Sequence, residues 1–404
     1  MLASLFVGDA RTTANPAPVL SVDQLVGIGR YSQIPTPKDN DSHGHAVWAF
    51  ARYHLAPTKA VVGSAQAAHK QGEDLGTFVL MLCHRTGSGV VRDRALAQRL
   101  NFELRTKLER KKDPSPLDLY MLSQCHSADA TGRTTNKDAE KLFEELNRQR
   151  KLAWQRLKKA AELEFAQACQ DVALAQEDPA EAHKWHRKAA ELGLAEGMRY
   201  TGLQLVVGAG VEKDAAKGLA LSEKAANQGD VYAMINLVVF YDQGLGVKKD
   251  PQKAQQWLDA ASKSGHWYGF IEQGMALLGG HYSTKVDRKQ GMEILQKAVE
   301  TGNADALTFV ASAYAKGFGL KRDGKQAVRF AEAGYRQGNA KAAAVLASIY
   351  GDGLGEVKAD EELASFWGRE ARKPGFGVDL LPEQARTDFF QRLDAIDPLK
   401  LKVE

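Results

Sequence analysis

The sequence predicts an all-α chain, a right-handed α-solenoid of stacked antiparallel helix pairs, from three recurring signals. A lone glycine stands at 193, 229, 265, 302 and 338, and each is followed by a glycine pair, at 208/210, 244/246, 279/280, 317/319 and 353/355. Successive lone glycines are 36, 36, 37 and 36 residues apart, a period that belongs to repeats of two helices. After each pair comes an aspartate with a small and then a bulky residue behind it: Asp214/Gly218/Leu221, Asp250/Ala254/Trp257, Asp287/Gly291/Ile294, Asp323/Ala327/Phe330 and Asp360/Ala364/Trp367. A chain of this kind buries its core between neighbouring units and usually works by presenting a surface.

One unit justifies its elements in order. After Gly229, the apolar residues Val231, Met234, Leu237, Val238 and Tyr241 recur at three- and four-residue steps, which gives a first helix with one buried face. Gly244-Leu245-Gly246 then turns the chain, because glycine accepts the positive φ a tight turn needs. Asp250-Pro251 supplies an N-cap and a first helical residue. The second helix directs Ala254, Trp257 and Ala260-Ala261 inward and stops at Gly265, which suits a left-handed C-terminal turn.

Along the chain, residues 1–42 read as an irregular N-terminal cap containing Pro16, Pro18, Pro35 and Pro37. Residues 43–177 read as degenerate helical repeats, beginning with a unit around Trp48, Phe50 and Tyr53. One clear repeat lies at 72–110, where Gly72 precedes Gly87-Ser88-Gly89 and Asp93/Ala97/Leu100 follows. Met121–His126 echoes Met81–His84 but leads into a polar loop expected from Ser127 to Lys137. A long basic helix is expected over 138–160. Ala161–Cys169 aligns with Ala190–Met198, which sets Glu164 on Gly193 and makes a 29-residue copy without the glycine turn. Regular repeats run over 178–372, and 373–404 reads as a C-terminal cap with a helix over Pro382–Leu393. The whole is expected to be an elongated monomer, growing by roughly 10 Å per unit.

The small-residue first helix, the G-x-G turn, the D-x3-A-x2-W segment and the A-A-x-x-G ending resemble the Sel-one-like repeat family, a relative of the tetratricopeptide repeat. That resemblance implies a superhelical protein-binding scaffold and does not name the partner. Similar solenoids accompany type VI secretion phospholipase effectors, which implies an immunity protein neutralising a secreted antibacterial lipase. The alternative is a scaffold or regulator in envelope or signalling complexes. A hydrolase reading would need disulfide pairs and a nucleophile.

Lys and Arg number 54 against 50 Asp and Glu, a net charge of +4, so no general attraction to nucleic acid or anionic membrane is expected. The basic segments Arg105–Lys112 and Arg148–Lys159 read as solvated helix faces. Cys83, Cys125 and Cys169 fall at apolar positions of the register and read as small buried hydrophobes. No apolar run approaches the roughly 18 residues of a membrane span. Leu2–Val7 is too short for the core of a signal peptide, so the expectation is cytoplasmic, or periplasmic if a leader has been removed.

Chemistry-bearing clusters are sparse. His183 and His186 lack a third ligand at a supporting spacing and read as surface histidines beside Trp185. Cys83-His84 and Cys125-His126 lie at equivalent places in neighbouring units and read as core. Gly208-Ala209-Gly210 follows a helix rather than a strand, so it is a turn and not a phosphate loop. No catalytic residue, cofactor or metal is expected.

The informative positions are those where the repeats disagree. Three residues after the lone glycine come Glu196, Tyr232, Tyr268, Asp305 and Lys341; seven after come Tyr200, Asn236, Glu272, Phe309 and Val345. The two rows share one helical face, expected on the concave side. Tyr200, Tyr232, Asn236, Tyr268, Glu272 and Phe309, with Trp267 from the aromatic run His266–Phe270, are the candidate partner-binding residues. Packing against the next repeat is an equally open reading for Tyr232 and Tyr268.

Overall fold

A computed structural model describes residues 41–55, 59–87, 89–129 and 139–372, together with 34, 36–38 and 403. Among them the chain is helical, with a single isolated bridge between Leu354 and Val357. The first pairs are α1 (Ser42–Leu55) with α2 (Lys59–Lys70), α3 (Asp74–Thr86) with α4 (Arg94–Leu108), and α5 (Pro116–Asp129) with α6 (Ala139–Glu162). The shortened copy is α7 (Ala166–Leu174) with α8 (Pro179–Glu191). Next come α9 (Ala195–Val207) with α10 (Ala215–Asn227), α11 (Val231–Gln243) with α12 (Pro251–Lys263), and α13 (Trp267–Gly279) with α14 (Arg288–Glu300). The last are α15 (Ala304–Lys316) with α16 (Gly324–Arg336), and α17 (Ala340–Asp352) with α18 (Glu361–Arg372).

The repeated aspartates cap the second helices. Asp93, Asp214, Asp250, Asp287, Asp323 and Asp360 each accept a hydrogen bond from the backbone N–H three residues on, at 2.9–3.0 Å. Asp178 does the same two residues on. Burial follows the sequence periodicity: Val231, Met234, Leu237, Val238 and Tyr241 are all buried in α11. In α12 the best-covered residues are Ala254, Leu258 and Ala261, whereas Trp257 is only partly buried. A ring chain, Phe50–Phe78–Tyr120–Phe165, links the first four pairs with centroids 5.1–6.3 Å apart.

In the shortened copy Glu164 takes the left-handed conformation of the lone glycine, with φ 62°. There α7 ends at Ala175 in a right-handed conformation, and the chain passes directly to the Asp178 cap.

Three expectations are corrected. Ser127 to Asp129 belong to α5 rather than to a loop; the rest of that loop, residues 1–33 of the N-terminal cap and the Pro382–Leu393 helix lie outside the described residues. Gly279 and Gly280 are not the turn pair: Gly279 ends α13, and Gly280 (φ 72°) occupies the place of Gly244. The second left-handed place, filled by Gly246 in the preceding unit, is taken by Tyr282 with φ 53°. Ser283 (φ 58°) is also left-handed, because this turn holds one residue more, which is the origin of the single 37-residue step. Finally, the stack does not simply extend. The turn before α4 touches the corner after α16, six helix pairs further on. Each pair is rotated on the last, and the rotations accumulate until distant units meet.

Candidate partner-binding site

The first helices of successive pairs lie side by side, so residues at one register position form a row. In that row Tyr232 and Tyr268 stack, with ring centroids 5.0 Å apart and planes inclined by 25°. Arg199, one unit earlier, places its guanidinium 4.2 Å from the Tyr200 ring centroid and 5.2 Å from that of Tyr232. Asp230 at 3.2 Å and Glu196 at 3.3 Å hold it there. Burial opposes the Arg199 charge, but the two carboxylates outweigh it and raise its pKa. Burial raises the Glu196 carboxyl, and Arg199 offsets this in part. Tyr200 stacks on His186, 4.6 Å away and nearly parallel.

The row continues through Glu272, which accepts a hydrogen bond from the Tyr282 hydroxyl at 3.1 Å. Burial first, and the Glu272 charge next, push the Tyr268 and Tyr282 hydroxyls up. Burial likewise raises Tyr232 to about 12, with Asp305 adding to it, so all three phenols are neutral donors at physiological pH. Glu272 and Phe309 line a cavity of about 400 Å³ together with Asp242, His281, Tyr282 and Phe318.

Of the sequence candidates, Tyr232 is 40% exposed and Phe309 37%, while Tyr200, Asn236, Tyr268 and Glu272 are half-buried. Trp267 turns toward the C-terminal core, half-buried against it. Sequence reasoning missed Arg199, His266, Asp242, His281, Tyr282 and Phe318. Two of these had a signal: with Gly280 aligned to Gly244, the middle residues of consecutive turns are Leu245, His281 and Phe318. The rings of His281 and Phe318 stack at 5.6 Å.

The remaining clusters are structural. His183 and His186 are buried, not at the surface as expected; their Nδ1 atoms lie 2.9 Å from Gln204 Oε1 and Gln170 Oε1. Burial, with Arg199 next, lowers His186 to about 4. Cys83, Cys125 and Cys169 are buried thiols, and burial raises Cys83 to about 12. In the basic segment Arg105–Lys112, Lys107 and Lys111 pair with Asp74 at 2.6 and 3.2 Å. Arg148 pairs with Glu145 within α6. Among the described residues no group of three or more His, Cys, Asp or Glu is placed to hold a metal ion, and no helix is long and apolar enough to cross a membrane.

Fold and surface together define an all-helical repeat scaffold. The chain belongs to the Sel1 repeat family, whose model matches residues 74–100, 174–194, 195–230, 231–266, 272–303, 304–339 and 340–373, more than half of its length. Sel1 repeats mediate protein–protein binding, and proteins built from them are generally non-catalytic scaffolds. Among solved structures, a Sel1 repeat protein from Oxalobacter formigenes is 30% identical and aligns over 55% of this chain and 93% of its own, with a TM-score of 0.42. A protective antigen of uropathogenic Escherichia coli with an SLR fold is 19% identical over 93% of this chain and 91% of its own, with a TM-score of 0.32. An immunity protein from Pseudomonas aeruginosa is 21% identical over 59% and 84%, with a TM-score of 0.39. No functionally curated protein matches the chain significantly.

Proposed function

We propose that this chain is a non-enzymatic binding protein whose partner seats on the row from Tyr200 to Phe309, and that it acts as an immunity protein against a secreted antibacterial phospholipase. The observation that carries the binding reading is the Tyr232–Tyr268 stack, with Tyr232 40% exposed and lining a small hollow with Arg199, Asp230 and His266. Stacking sets both rings in place before a partner arrives, so little rotamer entropy remains to be lost on binding. Tyrosine then contributes a large contact area with a hydroxyl for orientation. The immunity step rests on the resemblance of the repeat to solenoids that accompany such effectors.

The test is co-expression of the chain with a lipase encoded beside its gene, alongside assay of purified protein against that lipase. Restored growth, and inhibition of lipid hydrolysis that saturates at one-to-one stoichiometry, are expected. A neighbourhood without a toxin, or hydrolysis by the purified chain itself, overturns the immunity reading. Binding to an envelope or signalling complex instead would leave a scaffold in its place.

A further inference from the structure

We infer that the cavity at the C-terminal ends of α11 and α13, bordered by Phe309 of α15, is a seat for an arginine side chain presented by the protein partner. The inference rests on the protein-binding reading above, but not on the partner being a lipase.

The walls supply aromatic faces. His281 and Phe318 stack at 5.6 Å with planes inclined by 23°, and Phe318 is 49% exposed. Phe309 adds a further exposed ring, and the volume of about 400 Å³ falls within the range of roughly 300 to 1,000 Å³ usual for ligand pockets. Solvent-facing rings at a concave site attract a cation through their quadrupoles.

Charge points the same way. Asp242 and Glu272 both act on Tyr282, and among the described residues neither carboxylate is ion-paired. Asp242 lies in the last turn of α11 and Ala276 in the last turn of α13, so the negative ends of two helices also face this cavity. Ordinary surface carboxylates would be solvated; these two converge on an aromatic-lined hollow.

The backbone adds an independent reason to regard the hollow as selected. Tyr282 is a bulky residue in the left-handed region, φ 53°, where the neighbouring unit has Gly246. Strain of this sort persists where a side chain is needed. The Tyr282 hydroxyl, bonded to Glu272, fixes that carboxylate toward the cavity. A guanidinium fits better than an ammonium, because it is planar, stacks on rings and pairs with carboxylates through a rigid fork.

The probe is N-acetyl-argininamide, titrated into the full chain carrying fluorine-labelled phenylalanine and tyrosine. Saturable shifts of the Phe318 and Tyr282 resonances are expected, with the uncharged norleucine analogue producing none. Asp242→Asn, Glu272→Gln and Phe318→Ala should each weaken binding at least about tenfold while melting curves stay cooperative. Phe318 lies at the surface, so its variant reports even if Glu272→Gln loosens the tyrosines. Equal shifts from the norleucine analogue, or argininamide binding unaltered in all three variants, overturn the proposal. Tighter binding of spermidine than of argininamide overturns the assignment to a protein side chain. The two readings fail separately: arginine binding without protection from a lipase removes only the immunity role, whereas protection without arginine binding removes only this seat.

Discussion

Gln337 and Arg92 are 245 positions apart, yet the backbone N–H of Arg92 donates to Gln337 Oε1 at 2.9 Å. Gln337 Nε2 also donates to the Gly302 carbonyl, 3.3 Å away. The glutamine is 1% exposed, and a Cβ at Gly87 would lie 2.7 Å from its Oε1, so the two segments fit closely. Burial, and the neighbouring Arg94 and Arg85 after it, lower the Arg92 pKa to about 10. The contact joins an early unit to a late one and closes the superhelix on itself.

Gln337→Ala leaves buried backbone groups at both ends of this contact without partners, which costs about 1 to 3 kcal/mol. Denaturant unfolding should register that loss, and small-angle scattering should register a larger radius of gyration. If midpoint and radius both stay as in the parent, the stack alone holds the ends together.

Tyr232→Ala and Tyr268→Ala should each weaken partner binding by about 1 to 3 kcal/mol. Because the rings stack, their effects should not add; a double-mutant cycle should give a coupling of about 0.5 to 1.5 kcal/mol. Asp250→Ala should instead cost about 1 kcal/mol of stability through its cap, with affinity unchanged. Additive tyrosine effects, or tyrosine variants that lose folding but keep affinity per folded molecule, would assign the pair to packing.

The left-handed turn positions offer a matched comparison. Gly246→Ala adds a Cβ that meets Ala215 Cβ at 2.7 Å and incurs a left-handed penalty, so a loss of about 2 kcal/mol is expected. Tyr282→Gly relieves the same kind of strain while removing the hydroxyl bond to Glu272, and the opposing effects should keep stability within about 1 kcal/mol of the parent. Chemical denaturation of the two variants checks the contrast; a larger loss from Tyr282→Gly than from Gly246→Ala would mean that Tyr282 is held by packing that outweighs its strain.

His266 Nδ1 accepts the Tyr268 N–H at 3.1 Å and so caps α13, which requires that nitrogen to be unprotonated. Burial lowers its pKa from 6.5 to about 4. A depressed folded-state pKa means that the unfolded chain takes up the proton first, so this stability is intact above pH 6.5 and is lost as pH falls toward 4. At pH 5 the loss is about 2 kcal/mol, and His186, also held at about 4, adds to it. Asp171 works in the opposite sense: burial raises it to about 7, so its contribution grows on acidification between about 7 and 4. Thermal melts from about pH 7.5 to about pH 5 should therefore fall less in His266→Asn, where the amide oxygen keeps the cap, than in the parent. Parallel slopes would show that His266 carries no depressed pKa.

Local signals made much of this protein legible from its residues alone. Helix periodicity, the aspartate caps at positions such as Asp250 and the alignment of Glu164 with Gly193 are encoded within a few neighbouring positions, and each unit settles them for itself. The row holding Tyr232, Tyr268 and Glu272 was equally readable, because a 36-residue period converts register into spatial adjacency. The stacking of one tyrosine on the next was not, since it depends on how far each pair is translated and rotated on the last. The same holds for the burial of His183 and His186, and the meeting of His281 with Phe318 beside Asp242. Gln337 and Arg92 are the extreme case. Small rotations between helix pairs, none of them written in any single repeat, add up over six steps to a contact that only the folded chain contains.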